Sequence, residues 1–336
     1  MDCNSINIWL RSRLSLQTLY LLLLGQLVSL ILASTSFTSS LIATLGMDAP
    51  ITQTTFNYAF LALVYGAILL YRRQRLRVAW YWYLLLGFVD VQGNYLVNKA
   101  YQFSSLTSVT LLDCWTIAWA IILTWFFLGT RYSLWQLFGA AVSVLGLGLV
   151  MLSDAGIGGG GGSRPLLGDM LVVIGTIFFA LSNVGEEFFV KQKDLVEVVS
   201  MIGVYGFLVS LIQLSILEHK DVESIKWSTD IILALAGYTL SSFLFYTTAP
   251  FVLKLGGAAM FNLSLLTSDM WAVVIRICFY RQEVDWLYYV AFIVVVIGLV
   301  IYSTTDKDLI PVPAHENGIS NVQYQIFDDE IVAPRH

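Results

Sequence analysis

Ten stretches of about 20 mostly apolar residues recur along this 336-residue chain, each long enough to cross a bilayer as a helix. They read roughly as 16–37, 53–71, 80–100, 108–128, 135–152, 167–190, 198–217, 229–250, 256–280 and 287–302. Composition agrees: 57% of residues are apolar and 12% charged, about half the charge that covers an average soluble domain. The second half of the first stretch, Ala33-Ser-Thr-Ser-Phe-Thr-Ser-Ser40, is rich in hydroxyls and suits a protein cavity better than lipid. Arg11 and Arg13 before a Leu run resemble a signal peptide. The apolar run is long, however, and no convincing small-residue cleavage site follows, so it reads as a retained span.

Basic residues orient the spans. With the N-terminus inside, twelve of the eighteen Lys and Arg fall in inside segments and five in outside loops, with Arg276 within a span. Positive charge accumulates in cytoplasmic loops, so both termini are expected in the cytosol. The run Arg72-Arg-Gln-Arg-Leu-Arg77 reads as a topology anchor, and Trp80-Tyr-Trp-Tyr83 after it as an interfacial aromatic belt. A net charge of −5 with scattered cations argues against nucleic-acid binding. Cys3, Cys114 and Cys278 have no paired spacing, so neither a disulfide framework nor a metal site is indicated.

A shift of 152 residues lays Trp119-Ala-Ile-Ile-Leu on Trp271-Ala-Val-Val-Ile and Val144-Leu-Gly-Leu147 on Val296-Ile-Gly-Leu299. Ten spans then divide into two halves of five. Five is odd, so the second half enters the membrane from the opposite side, and such inverted repeats are the architecture of alternating-access carriers. The fold expected is an all-α membrane protein with ten transmembrane helices in two inverted five-helix repeats. Its parts are a cytosolic segment 1–15, a first repeat 16–152, a Gly-rich linker 153–166, a second repeat 167–303 and a disordered cytosolic tail 304–336.

Five carboxylates, Asp90, Asp113, Glu186, Glu187 and Asp269, stand inside the spans away from the first few residues, where charge costs about 2.5–3.5 kcal/mol and marks a pathway or an internal partner. Asp90, Asn94 and Asn98 recur every fourth residue and share a helix face, either lining a solute path or bonding between helices. Lys99 lies beside them and can pair with an anion or snorkel to the interface. Asn183, Glu186 and Glu187 share a second face; two adjacent acids suit proton coupling or a cationic solute, or else pair with Lys191 or Lys193. Asn262, Asp269 and Arg276 follow at steps of seven along a third stripe, and Asp113 has no local basic partner. All three histidines, His219, His315 and His336, lie in a loop or the tail, and no Walker A motif occurs, which argues against a membrane enzyme or a built-in ATP motor.

Asn94-Tyr-Leu-Val-Asn-Lys-Ala-Tyr-Gln102, Ser105-Leu-Thr-Ser-Val-Thr-Leu-Leu-Asp-Cys114 and Ser182-Asn-Val-Gly-Glu-Glu187 resemble hallmarks of solute carrier family 35, subfamily F. So do Glu218-His-Lys220, Asn262-Leu-Ser-Leu-Leu-Thr-Ser-Asp269 and Ile297-Gly-Leu-Val-Ile-Tyr-Ser303, and the resemblance spans residues 15–305. It implies the drug/metabolite transporter fold, with ten helices in two inverted halves and cytosolic termini. Relatives in the wider family exchange nucleotide sugars in the Golgi and endoplasmic reticulum. Members similar to this chain are associated with nucleobase- or nucleoside-like solutes. This chain has Asp90 where relatives carry Glu, and Gly185 where many carry Trp, which is expected to widen the space beside Glu186.

The expectation is a secondary transporter of a small polar organic solute, nucleobase- or nucleoside-like, with no cofactor and no enzymatic activity. Its alternatives are a nucleotide-sugar antiporter and, from another class, a non-transporting receptor or scaffold. The expected cavity is lined by Asp90, Asn94, Tyr95, Asn98, Lys99 and Asp113 from one half and Asn183, Glu186, Asn262 and Asp269 from the other. Glu187 is the candidate for a coupling proton. Partners are the solute and the bilayer. Homodimerisation and the particular membrane (plasma membrane, Golgi or vacuole) stay open.

Overall fold

The computed structural model describes residues 16–47, 49–73, 78–100, 103–104, 109, 112–155, 164–225, 227–280 and 286–305, all helix and connecting turns with no strand among them. The expected N-terminal segment, most of the Gly-rich linker, the last four residues of the basic run and nearly all of the tail lie outside these residues. The helices are α1 (Leu16–Thr44), α2 (Pro50–Tyr71), α3 (Trp80–Ala100), α4 (Trp115–Phe127), α5 (Leu134–Ala155), α6 (Pro165–Gln192), α7 (Leu195–Gln213), α8 (Thr229–Leu265), α9 (Ser268–Tyr280) and α10 (Trp286–Thr304). α7 runs on through a π-turn, Leu214–Glu218, into a short helix, His219–Ser224.

Local chemistry sets these ends. Pro50 and Pro165 open α2 and α6, where a missing amide donor costs nothing. Asp194 caps α7 by accepting from the Val196 amide, and Ser228 caps α8 by accepting from that of Ile231. α1 runs past the expected end at residue 37 to Thr44. Its hydroxyls explain why: Ser34, Thr35 and Thr38 donate to the carbonyls of Leu30, Ile31 and Ser34 one turn back, so they are satisfied inside the helix.

Among the described residues, five helices are long and apolar enough to cross a membrane: Leu16–Thr44, Pro50–Tyr71, Leu166–Gln192, Leu195–Glu218 and Thr229–Leu265. Trp115–Phe127, Leu134–Leu149 and Tyr289–Thr304 are shorter apolar helices. Side chains are sorted inside out. Leu70, Leu134, Phe126 and Leu145 are more than two-thirds exposed, while Asn57, Asp90, Glu186, Glu187 and Glu197 are buried. Such a surface matches hydrocarbon, and the polar groups gather where protein can satisfy them.

The helices pack as antiparallel pairs seated on small residues. Gly203 and Gly206 of α7 lie against Leu61 and Tyr58 of α2, and Gly175 and Gly168 of α6 lie against Val97 and Ser104 at the end of α3. α5 crosses α10 so closely that a Cβ on Gly139 would come 2.7 Å from the Tyr302 nitrogen. Ser143 Oγ donates to the Val295 carbonyl at 3.2 Å, two positions 152 residues apart. Contacts at this crossing survive exchange by that same offset: Gly146 meets Val295, and Ser143 meets Gly298.

α8 is two legs rather than one rod. Gly257 has φ 83 and ψ 170, a conformation essentially reserved for glycine. The first leg runs antiparallel to α1, with Gly237 beside Thr38 and Gly256 beside Leu21. The second doubles back, so that the Ser264 carbonyl accepts from Ser29 Oγ at 2.5 Å. The expected eighth and ninth spans therefore meet in a hairpin at Gly257. The ninth is itself interrupted by a turn at Leu266 and Thr267 before α9 begins. This corrects the stripe drawn through Asn262, Asp269 and Arg276: their spacing of seven implies one face only on an unbroken helix.

Candidate solute-binding site

Asp90 sits near the middle of α3 and is buried. Its Oδ2 accepts from Tyr58 of α2 at 2.5 Å and from Tyr246 of α8 at 2.7 Å, and its Oδ1 accepts from Ser182 of α6 at 2.9 Å. The two tyrosine hydroxyls lie 3.2 Å apart, and Asn94 Nδ2 donates to that of Tyr58 at 3.3 Å and to the Asp90 carbonyl at 3.0 Å. Four helices thus converge on one carboxylate. Beside Tyr58, the Asn57 side chain is only 2% exposed, and its Oδ1 has no hydrogen-bond partner among the described residues.

A second layer joins α6 to the second leg of α8. Asn183 Nδ2 donates to Asn262 Oδ1 at 2.9 Å, and Asn262 Nδ2 donates to the Ala258 carbonyl at 2.8 Å. Glu187 Oε1 pairs with Lys191 one turn on at 2.5 Å, and Oε2 accepts from the Ala258 amide at 2.7 Å. It thereby caps the leg that starts at the Gly257 reversal. Its neighbour Glu186 points elsewhere: it is buried, lies within electrostatic range of Asp90, and has no hydrogen bond or ion pair among the described residues. The expected widening at Gly185 is corrected too, since a Cβ there would meet Leu86 at 3.0 Å. The missing side chain lets α3 close on α6.

The remaining expected residues occupy other levels. Tyr95 and Asn98 line a recess with Pro50, Ile51, Thr54, Val91 and Gln213, toward the α2 N-terminus. Lys99 is half-buried with no ion pair among the described residues. Asp113 accepts from Thr116 at 3.4 Å just before α4, and both Asp113 and Asp269 lie in electrostatic range of buried Cys114. The Arg276 side chain lies outside the described set. No group of three His, Cys, Asp or Glu side chains suited to a metal occurs among the described residues.

Reading the sequence missed Tyr58, Tyr246, Ser182 and Glu218. Glu218 is buried and accepts from the amides of Ile51 and Thr52 at 2.8 and 2.9 Å and from Thr52 Oγ1 at 3.0 Å. A signal did exist for the region around Tyr58, because Thr52-Gln-Thr-Thr55 and Asn57 are unusually polar for lipid. Ser182 opens one of the family-like motifs, but a Ser can satisfy itself on its own backbone, and nothing in the residues around Tyr246 marked it out.

The model of the SLC35F family, Solute carrier family 35, matches residues 14–304 of this chain. The chain belongs to that family. It is similar to solute carrier family 35 member F2 of Mus musculus, at 36% identity over 299 residues, covering 86% of this chain and 80% of that protein. The Xenopus tropicalis member F2 is 33% identical over 310 residues, covering 88% of this chain and 79% of its own length. An uncharacterized family member of Schizosaccharomyces pombe is 34% identical over 287 residues, 83% of this chain and 56% of that one. A solved crystal structure superposes with a TM-score of 0.68 at 16% identity, covering 84% of this chain and 98% of its own, and shares the fold. This solute carrier is accordingly a multi-pass membrane protein.

Proposed function

We propose that this family 35 carrier moves a small polar organic solute, nucleobase- or nucleoside-like, by alternating access of two inverted five-helix halves. The observation that carries the reading is the Asp90 knot. Its carboxylate and Tyr58 come from the first proposed half and Ser182 and Tyr246 from the second, so it lies at the interface where such carriers bind solute. Support for the repeat comes from pairing: α2 with α7 and α5 with α10 map onto themselves under the 152-residue shift, and α3 with α6 maps onto α8 with α1. Amides of Asn94 and Asn183, the Asn57 carbonyl oxygen and the tyrosine hydroxyls offer the mixed donors and acceptors that read a heterocycle's edge.

The coupling proton is assigned to Glu186 in this reading. Glu187 is occupied by Lys191 and the Ala258 amide, whereas buried Glu186 lies within electrostatic range of Asp90 and has no ion pair among the described residues. The test is uptake by purified protein in liposomes, using labelled nucleobases, nucleosides and nucleotide sugars with and without a pH gradient. Gradient-stimulated uptake of a base or nucleoside is expected. Counterflow confined to nucleotide sugars would overturn the solute assignment.

A further inference from the structure

α7 carries a buried glutamate at each end, and each reaches a different helix. At its start, Glu197 accepts from Tyr83 at the first turn of α3 at 2.9 Å. At its far end, the helix departs from α geometry for the five residues Leu214–Glu218, and the π-turn aims Glu218 at the first amides of α2. π-turns of this kind are rare and concentrate at functional sites. Because α2 opens on Pro50, the Ile51 and Thr52 amides have no partner in their own helix, so an anion arriving from α7 satisfies both.

The two contacts bracket the Asp90 knot. On α3, Tyr83 lies seven residues before Asp90 and Asn98 eight after it, about 10 and 12 Å along the axis. Asn98 lines the recess under the Glu218 cap together with Ile51 of α2 and Gln213 of α7. Glu218 on α7 therefore ties the α2 end that lines this recess, and opening it to solvent by parting α2 from α7 would have to break the Glu218 bonds. At the opposite face the Tyr83–Glu197 bond ties α3 to the start of α7, and parting the two there would have to break it. The exposed Arg72–Asp194 pair at that face, 3.3 Å apart and about half solvated, adds little.

We infer that α7 is the gating helix, with Glu218 on the α2 N-terminus as the latch of one face and Tyr83–Glu197 as the latch of the other. The inference rests on the alternating-access reading and adds which contacts must break in each half-cycle. With both latches closed the structure is an occluded state. Weakening either one shifts the population toward the state open on that face and away from the other.

The experiment uses full-length protein in liposomes, with Cys3, Cys114 and Cys278 replaced by Ala and Asn98→Cys as the reporter, labelled by a membrane-impermeant maleimide from each side. Glu218→Gln is expected to speed labelling from the recess side about tenfold, the loss of one charge-assisted hydrogen bond. Tyr83→Phe should slow it by a similar factor, and the double variant should return toward the parent rate. A merely structural role predicts that both variants loosen the protein and speed labelling. That result, or indifference to Glu218→Gln, overturns the latch. Thr54→Cys, in the same recess, repeats the measurement if the first reporter folds poorly. Reciprocal labelling without flux of any probe would keep the latch and remove the solute assignment. Flux with indifferent labelling would remove the latch alone.

Discussion

Tyr246→Phe removes one oxygen from the centre of the protein and little else. The ring stays, and with it the edge-on contact to Tyr58 at a centroid separation of 5.8 Å. What goes is a 2.7 Å donor to Asp90 Oδ2 and the 3.2 Å contact with the Tyr58 hydroxyl, leaving Tyr58 and Ser182 on the carboxylate. A hydrogen bond to a charged group contributes about 1.5–3 kcal/mol, whereas a neutral interhelical bond in a bilayer averages about 0.6 kcal/mol. The convergence of three donors on one carboxylate points to the larger figure. Unfolding by SDS in mixed micelles, followed by fluorescence of the ten tryptophans, measures the cost. Asp90→Asn completes a double-mutant cycle, because the amide replaces one acceptor with a donor. The expected result is a loss of about 1.5–3 kcal/mol for Tyr246→Phe, shrinking by at least about 1 kcal/mol when Asp90→Asn is already present. A loss below about 0.5 kcal/mol, or additivity within about 0.5 kcal/mol, would show that Asp90 does not tie the four helices together.

Gly257→Ala places a Cβ on a backbone at φ 83 and within 2.9 Å of Glu187 Oε1, so it should lose about 1–3 kcal/mol in the same titration, toward the upper end. Gly139→Leu drives a side chain into the Tyr302 nitrogen and the Gly298 carbonyl, and overpacking of this kind costs about 1–3 kcal/mol; parent-like stability would contradict the α5–α10 crossing. In the uptake assay, Glu186→Gln should abolish stimulation by a pH gradient while Glu187→Gln retains it. The reverse order would return the coupling proton to Glu187.

Part of the site could be read directly from spacing. Asp90, Asn94 and Asn98 share the face that four-residue steps imply, because α3 is unbroken through them. Glu187 meets Lys191 because an i,i+4 pair needs only a helix. The same logic failed for Asn262 and Asp269, where the turn at Leu266 and Thr267 interrupts the helix without a Gly or Pro to announce it. The separate fates of Glu186 and Glu187 were also invisible, although the residues are adjacent. Successive helix positions point about 100° apart, and which neighbour each meets depends on how α3 and α8 pack on α6.

The chain by itself determined its membrane character and helical content. Hydrocarbon offers no partner to a backbone amide, so each apolar run had to close its own hydrogen bonds as a helix, a requirement written locally in every 20 residues or so. It also set out the 152-residue echo and the intramembrane acids. Tertiary structure alone decided what those acids do. Asp90 finds its donors 32, 92 and 156 residues away, and Glu218 finds its amides 166 and 167 residues away. A buried carboxylate must have partners, but nothing local says which. That choice falls to whichever helix faces the small residues allow to approach.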